Sequence, residues 1–306
     1  MPRTLVARAA IGAIVLLGAS LSACSSSGQG STAPGGSTQN LLDRAPVASD
    51  AELAQSPTAA AIKKRGQLTV GGSLDAPLLS QQNPVTGGVE GFDATLGKLL
   101  AKYITGQPAA RIIESSSVTR EPLLANGTVD VVLQTYTISQ ERAKKVSFAG
   151  PYLVSGQAIA TLKETTGISK PQDLAGKKVV AGANTPAIAA VKEKAPTADV
   201  VTFDTDPECV LGLEQGRGVA YVQDLTLLAA QSQLNKKIKI VGQPFTSDPY
   251  GIGLKLGDDT FKKFVNDWLK KIQDAGLWQE AWKSSLGTVV EGEAPTPPAI
   301  GSVPGS

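Results

Sequence analysis

Lys178-Val179-Val180-Ala181-Gly182-Ala183-Asn184-Thr185-Pro186 joins a short apolar run to a Gly/Asn turn and then to an alanine-rich segment opening at Pro186. A β-branched run bounded by turn residues reads as a buried strand, and proline suits the first position of a helix. The same unit recurs downstream: Val200-Val201-Thr202-Phe203 reads as a strand, Val210 to Gln215 as a helix and Val219-Ala220-Tyr221-Val222 as a strand. Upstream, Leu68 to Gly72 forms a β-type run after a basic helix end at Lys63-Lys64-Arg65. Phe92, Leu96, Leu99, Leu100 and Tyr103 fall at helical spacing. Arg111 to Ile113 reads as a strand, Arg120 to Ala125 as a short helix closed by Asn126-Gly127, and Val129 to Leu133 as a buried strand. Phe261, Phe264, Val265, Trp268, Leu269 and Ile272 mark an amphipathic helix near the end. This alternation predicts an α/β architecture with largely parallel sheets.

Both flanks differ from this core of the 306-residue chain. Arg3 and Arg8 precede an apolar stretch from Ala9 to Ala19, too short to span a bilayer, where about 20 apolar residues are needed. With Leu21-Ser22-Ala23-Cys24 following, the segment resembles a bacterial lipoprotein leader. That resemblance implies a signal peptide over 1–23 and a diacylated Cys24 as the first mature residue, with an ordinary signal peptide cleaved nearby as the alternative. Residues 24–57 are rich in Ser, Gly, Thr, Ala, Pro and Gln and read as a flexible tether; 291–306 read as a disordered tail. The expected location is the outer face of the cytoplasmic membrane, with the lipid as the sole membrane contact.

Charge and composition exclude several classes. The chain has 29 Lys+Arg against 27 Asp+Glu, and loss of the leader with Arg3 and Arg8 leaves 27 of each. No basic excess drives association with nucleic acid or an anionic membrane. Histidine is absent, which removes imidazole metal ligation and every His-dependent triad. No cofactor or metal is expected. Cys209, the other cysteine beside Cys24, reads as a buried small hydrophobe.

Several motifs occur in a telling order: Gly91-Phe92-Asp93 before a helix, Leu124-Ala125-Asn126-Gly127-Thr128-Val129-Asp130, Thr135 to Arg142, and Phe148-Ala149-Gly150-Pro151-Tyr152. Asp173 to Val179 and Tyr250-Gly251-Ile252 continue it. From Arg65 to Thr288 the chain resembles the bacterial extracellular solute-binding proteins of family 3, the polar amino-acid-binding proteins of ABC importers. Within that family it is most similar to actinobacterial glutamate-binding lipoproteins, through Ser115 to Glu121, Gly150 to Leu153 and Pro244-Phe245-Thr246. The resemblance implies the two-lobed type II periplasmic-binding-protein fold, with ligand in the inter-lobe cleft. Lobe 1 would take 58–152 and 251–290, and lobe 2 would take 153–250. Hinge closure around the ligand follows from that layout.

An α-amino acid needs donors for its carboxylate and an acceptor for its ammonium. The resemblance points to Arg142 as the carboxylate fork, with Thr137 and Ser139 beside it and Thr185 contributing from the other lobe. A helix cap at Ser139 with a solvated Arg142 is the plainer alternative. Asp224 matches the family's ammonium-binding acid and equally suits an N-cap for the apolar run from Leu225. Arg120 could meet a distal carboxylate, which favours glutamate or aspartate over glutamine or asparagine, or it could pair with Glu121 or Glu114 outside the cleft. Asp75 could contact the ammonium or the ligand side chain. The resemblance implies a monomer that binds and does not catalyse, delivering ligand to an ABC permease. A sensor signalling to a membrane receptor and a lyase on the same scaffold are the competing readings.

Overall fold

The computed structural model describes residues 34–290 and 293–306. The leader, Cys24 and the first part of the expected tether lie outside the described residues. The described residues begin with α1 (Pro34–Asp43), α2 (Asp50–Leu53) and α3 (Pro57–Arg65), then β1 (Leu68–Gly72), β2 (Asp75–Ala76), β3 (Ser80–Gln82) and β4 (Val89–Glu90). Next come α4 (Phe92–Thr105), β5 (Ala110–Glu114), α5 (Arg120–Ala125), β6 (Val131–Val132) and the long β7 (Ser147–Ser155). Lobe 2 holds β8 (Gln157–Leu162), β9 (Lys178–Gly182), α6 (Pro186–Lys194), β10 (Asp199–Phe203), α7 (Asp206–Glu214), β11 (Ala220–Asp224), α8 (Leu225–Leu234) and β12 (Ile238–Val241). The chain then returns through β13 (Asp248–Leu254), α9 (Asp259–Asp274) and α10 (Leu277–Lys283).

Each lobe is built on one five-stranded mixed sheet, in the orders β5-β1-β6-β13-β7 and β10-β9-β11-β8-β12. Three strands run parallel in each, and the remaining two join them antiparallel. The antiparallel pair β7 and β13 carries the chain out of lobe 1 and back, so two crossings connect the lobes. Because β7 runs to Ser155 and β13 starts at Asp248, the crossings lie a few residues further toward lobe 2 than the expected boundaries at 152 and 250. Ladder pairing between two long strands outlasts the local sequence cue that marked the turn.

Helix starts and stops follow local chemistry. In α3, the Ser56 hydroxyl accepts from the Ala59 N–H, Pro57 opens the helix and Gly66 closes it in the left-handed region. Thr205 and Glu208 form a capping box on α7. Before α4, Gly91 takes φ 123°, and a Cβ there would lie 2.5 Å from the Leu79 carbonyl carbon and oxygen, so only glycine fits. On α9 the periodic apolar residues are all buried, which docks this helix onto lobe 1.

Two low-complexity flanks differ from expectation. Leu41 and Leu42 of α1 are 2% and 5% exposed and join the lobe 1 core with Leu53 of α2. The segment is therefore docked on lobe 1 through these residues and is not free tether: a few well-placed leucines supply the apolar area that average composition conceals. At the other end, Ile300 packs on the lobe 1 core, Val303 packs against the cluster around Ile138 and Phe148, and the Gly301 N–H donates to the Gly150 carbonyl at 2.8 Å. The tail from 293 onward is thus laid along lobe 1. Cys209 is buried in lobe 2, where burial pushes its thiol up to about 12. No helix among the described residues is long and apolar enough to cross a membrane.

Candidate ligand site between the lobes

The carboxyl ends of the parallel strands in both sheets face one cleft, where α/β sheets bind their ligands. A cavity there is lined by the segments that follow β1, β5 and β6 in lobe 1 and β9, β10 and β11 in lobe 2. The lobes are shut over it. The Arg142 guanidinium donates through Nη2 to the Asn184 carbonyl at 2.8 Å, and Asn184 Nδ2 donates back to the Ser117 carbonyl at 2.5 Å. Asn184 takes φ 57°, a left-handed conformation that asparagine tolerates, while the Thr185 hydroxyl donates to the Gly182 carbonyl and fixes the turn.

Asp224 is 3% exposed and lines the cavity. Its side chain makes no cap on α8, although it stands at the N-cap position. It accepts instead from the Tyr250 hydroxyl at 2.7 Å and from the Gln157 amide, whose nitrogen also donates to Asp248 at 2.6 Å. Burial and the neighbouring Asp248 charge push the Asp224 carboxyl up to about 7. A carboxylate held this way gains from an incoming cation. Asp93, also on the wall, accepts from Tyr152 at 3.0 Å and from the Thr135 N–H at 2.9 Å, and burial raises it to about 6.

Thr137, Thr185, Arg120 and Asp75 line the same cavity as Asp224. Thr137 is 5% exposed and its hydroxyl has no partner. Arg120 is 2% exposed, lies 3.8 Å above the Tyr136 ring and donates through Nη1 to the Gln134 carbonyl, yet its Nε has no partner. Neither expected acid partner takes it, since Glu121 pairs with Lys145 at 2.9 Å. Burial, and then the charge of Arg142, lower the Arg120 guanidinium to about 9.

Arg142 and Ser139 are not on the cavity wall. Ser139 caps the turn carrying Arg142 by accepting the Arg142 N–H at 3.2 Å, which is the plainer of the two roles expected for it. Arg142 sits one layer behind the wall, its two terminal nitrogens on the carbonyls of Thr137 and Asn184. In this structure it is a bridge between the lobes. Residues the sequence reading passed over are Asp206 at the start of α7, Glu114 at the end of β5, and the Gln157, Tyr250 and Asp248 set around Asp224. Glu114 ends β5 and Asp206 follows β10, and ligand sites gather at the carboxyl ends of strands, a signal that could have found them.

Two α/β lobes on paired crossings, closed over a polar cavity, define a type II solute-binding fold. The chain belongs to the bacterial extracellular solute-binding proteins, family 3, whose model matches residues 68–287. It is 36% identical over 228 residues to an ABC transporter glutamine-binding protein of Bacillus subtilis, covering 74% of this chain and 83% of the relative. A glutamate-binding protein of Corynebacterium glutamicum is 31% identical over 237 residues, covering 73% and 80%. Among solved structures, an L-cysteine solute receptor of Neisseria gonorrhoeae aligns with a TM-score of 0.71 at 26% identity, covering 76% of this chain and 94% of that one. The protein is accordingly an extracellular solute-binding protein and not an enzyme.

Proposed function

We propose that this protein captures a polar amino acid between its lobes and delivers it to an ABC permease. The observation that carries the reading is the buried Asp224 carboxylate on the wall of a closed cavity that also holds the unpartnered Thr137 hydroxyl and Arg120 Nε. Asp224 takes the ammonium. The Thr137 hydroxyl takes the α-carboxylate, with Arg142 holding the Thr137 carbonyl from behind the wall, a division of donors and acceptors that matches a zwitterion. Relatives named for glutamine and glutamate support a polar amino acid with an acid or amide side chain.

Diacylation of Cys24 holds the protein as a monomer at the outer face of the cytoplasmic membrane, and the residues between Cys24 and α1 serve as the tether. A thermal-shift screen over the twenty common amino acids tests the binding reading, because a ligand of the folded state raises the melting temperature by mass action. At least one polar amino acid stabilises the wild type, and none does so in Asp224→Ala. A flat response across the whole set refutes the reading. Cys24→Ala releases the protein from membranes; retention in the membrane fraction argues against the anchor.

A further inference from the structure

Resting on the amino-acid reading above, the segment that follows the family match, which ends at 287, bears on how the ligand site is held. From Ala294 to Ser306 every third residue, Ala294, Pro297, Ile300, Val303 and Ser306, is half-buried. A three-residue period turns one face of an extended, proline-bearing segment to lobe 1. Its four prolines, Pro295, Pro297, Pro298 and Pro304, lower the entropic cost of docking it. Midway, the Gly301 N–H donates to the Gly150 carbonyl, while the Gly150 N–H donates to Asn266 Oδ1 of α9, each at 2.8 Å. Gly150 lies where the register between β7 and β13 shifts, so both of its backbone groups find partners outside the ladder.

The end of the segment reaches the site from behind. Val303 packs against the cluster of Tyr136, Ile138 and Phe148, which Ala143 also joins. A Cβ on Gly305, which takes φ 98°, would lie 3.0 Å from the Ala143 Cβ and 3.4 Å from Ile138 Cγ2, so the chain passes there in close contact. Neighbouring side chains of an extended segment point to opposite faces, and here Tyr136 and Ile138 join the cluster while Thr137 lines the cavity. The Tyr136 ring carries the Arg120 guanidinium at 3.8 Å and that of Arg142 at 5.2 Å. Along its other edge the same segment is pinned to β13: the Ile138 N–H donates to the Pro249 carbonyl at 2.8 Å and the Gly251 N–H to the Tyr136 carbonyl at 2.9 Å. We infer that residues 293–306 are a positioning strap for the ligand site, in which Val303 and Gly305 press Tyr136, Ile138 and Ala143 into place and so fix Thr137, Arg120 and Arg142 for an amino acid in the cleft.

Full-length Val303→Asp, which drives a charge into the cluster, and removal of residues 293–306 test the strap. Leu41→Ala serves as the comparison, because it takes packing from the lobe 1 core and none from this cluster. Each protein is titrated calorimetrically with the twenty common amino acids, well below its melting temperature. Affinity for whichever amino acid binds the wild type falls about tenfold in Val303→Asp and in the shortened chain, the effect of weakening one hydrogen bond in the site. Val303→Ile, which keeps the apolar contact, retains wild-type affinity. Hydrogen exchange of the amides from Tyr136 to Ala143 quickens in Val303→Asp while lobe 2 amides are unmoved, a local signature that general loss of stability does not give. Leu41→Ala lowers the melting temperature and leaves both affinity and this exchange as in the wild type. Affinity within about twofold of wild type in both tail variants, whatever their melting temperatures, reduces the tail to packing and overturns the strap while leaving the amino-acid reading intact. An equal loss of affinity in Leu41→Ala overturns it as well. Failure of the wild type to bind any of the twenty overturns the strap together with the reading on which it rests.

Discussion

If Asp224 receives the ligand ammonium, binding must compete with a proton. In the unliganded protein, burial and the facing Asp248 hold the Asp224 carboxyl near 7, against the opposing pull of Tyr250, Arg142 and Gln157. A bound ammonium favours the ionised form and carries the carboxyl well below that range. At pH 5, two units lower, roughly one unliganded molecule in a hundred has Asp224 ionised, so apparent affinity falls about 100-fold between pH 8 and pH 5, or about 2.7 kcal/mol. The ammonium and α-carboxylate of the ligand hold their charges across this window and the protein has no histidine, while Asp93, held near 6 on the same wall, also titrates within it. Calorimetry in buffers of different ionisation enthalpy counts the protons directly: close to one is released per ligand near pH 5.5 and close to none at pH 8.5. In Asp224→Asn, affinity is lower at pH 8 and its dependence on pH is largely gone. Stability without ligand runs the other way. Because Asp224 lies above its ordinary 3.8 when folded, its contribution is full below about pH 4 and is lost as pH rises through about 7, and Asp93, held near 6, acts in the same sense. Affinity constant within twofold from pH 8 to pH 5, with no proton release, would refute the ammonium role of Asp224.

Three further outcomes follow from the packing. Arg142→Ala removes the cross-lobe hydrogen bond to Asn184; charge-assisted bonds of this kind contribute about 1.5–3 kcal/mol, so the closed population drops by about tenfold or more. Small-angle scattering then shows an expanded particle at sub-saturating ligand, and a profile identical to wild type would count against the latch. Leu41→Ala destabilises lobe 1 by about 2–5 kcal/mol in denaturant melts because the side chain is core; a change below about 0.5 kcal/mol would restore the tether description of this segment. Truncation of residues 293–306 uncovers the surfaces beneath Ile300 and Val303 and lowers stability by about 1–3 kcal/mol. An unchanged melting curve would show that the tail contributes nothing.

What the sequence disclosed depended on how local each signal was. α4 and α9 were legible because their apolar spacing repeats over several turns, and β1, β9 and β11 because their apolar runs end in clear turns. The strand expected over Val129 to Leu133 shrinks to Val131–Val132, since burial of Val129 does not require it to join the ladder. Asp224 was ambiguous between cap and site because both roles occupy the same position in the chain; only the Gln157 and Tyr250 contacts, made across the sheet and the hinge, separate them. Asp206 escaped for the same reason, since it lines the cavity from lobe 2 opposite residues distant in the chain.

The strand, turn and helix from Lys178 to Lys194 therefore have two jobs that pull on the same atoms. As a local unit, Gly182 ends β9 and Pro186 opens α6, with Asn184 forced into the left-handed region between them. That forced conformation is what turns the Asn184 carbonyl toward Arg142 and its side-chain amide toward Ser117, both in lobe 1. Thr185, one residue on, lines the cavity. If a ligand bonds Thr185, displacing or tightening that residue also shifts the two latch bonds made by its neighbour Asn184. On the proposed reading, in which ligand meets Thr185, binding and closure are coupled through this turn. The direction of that coupling follows from the bonds themselves: both latch contacts exist only when the lobes are shut, so any ligand that gains from Thr185 in its latched position gains closure with it.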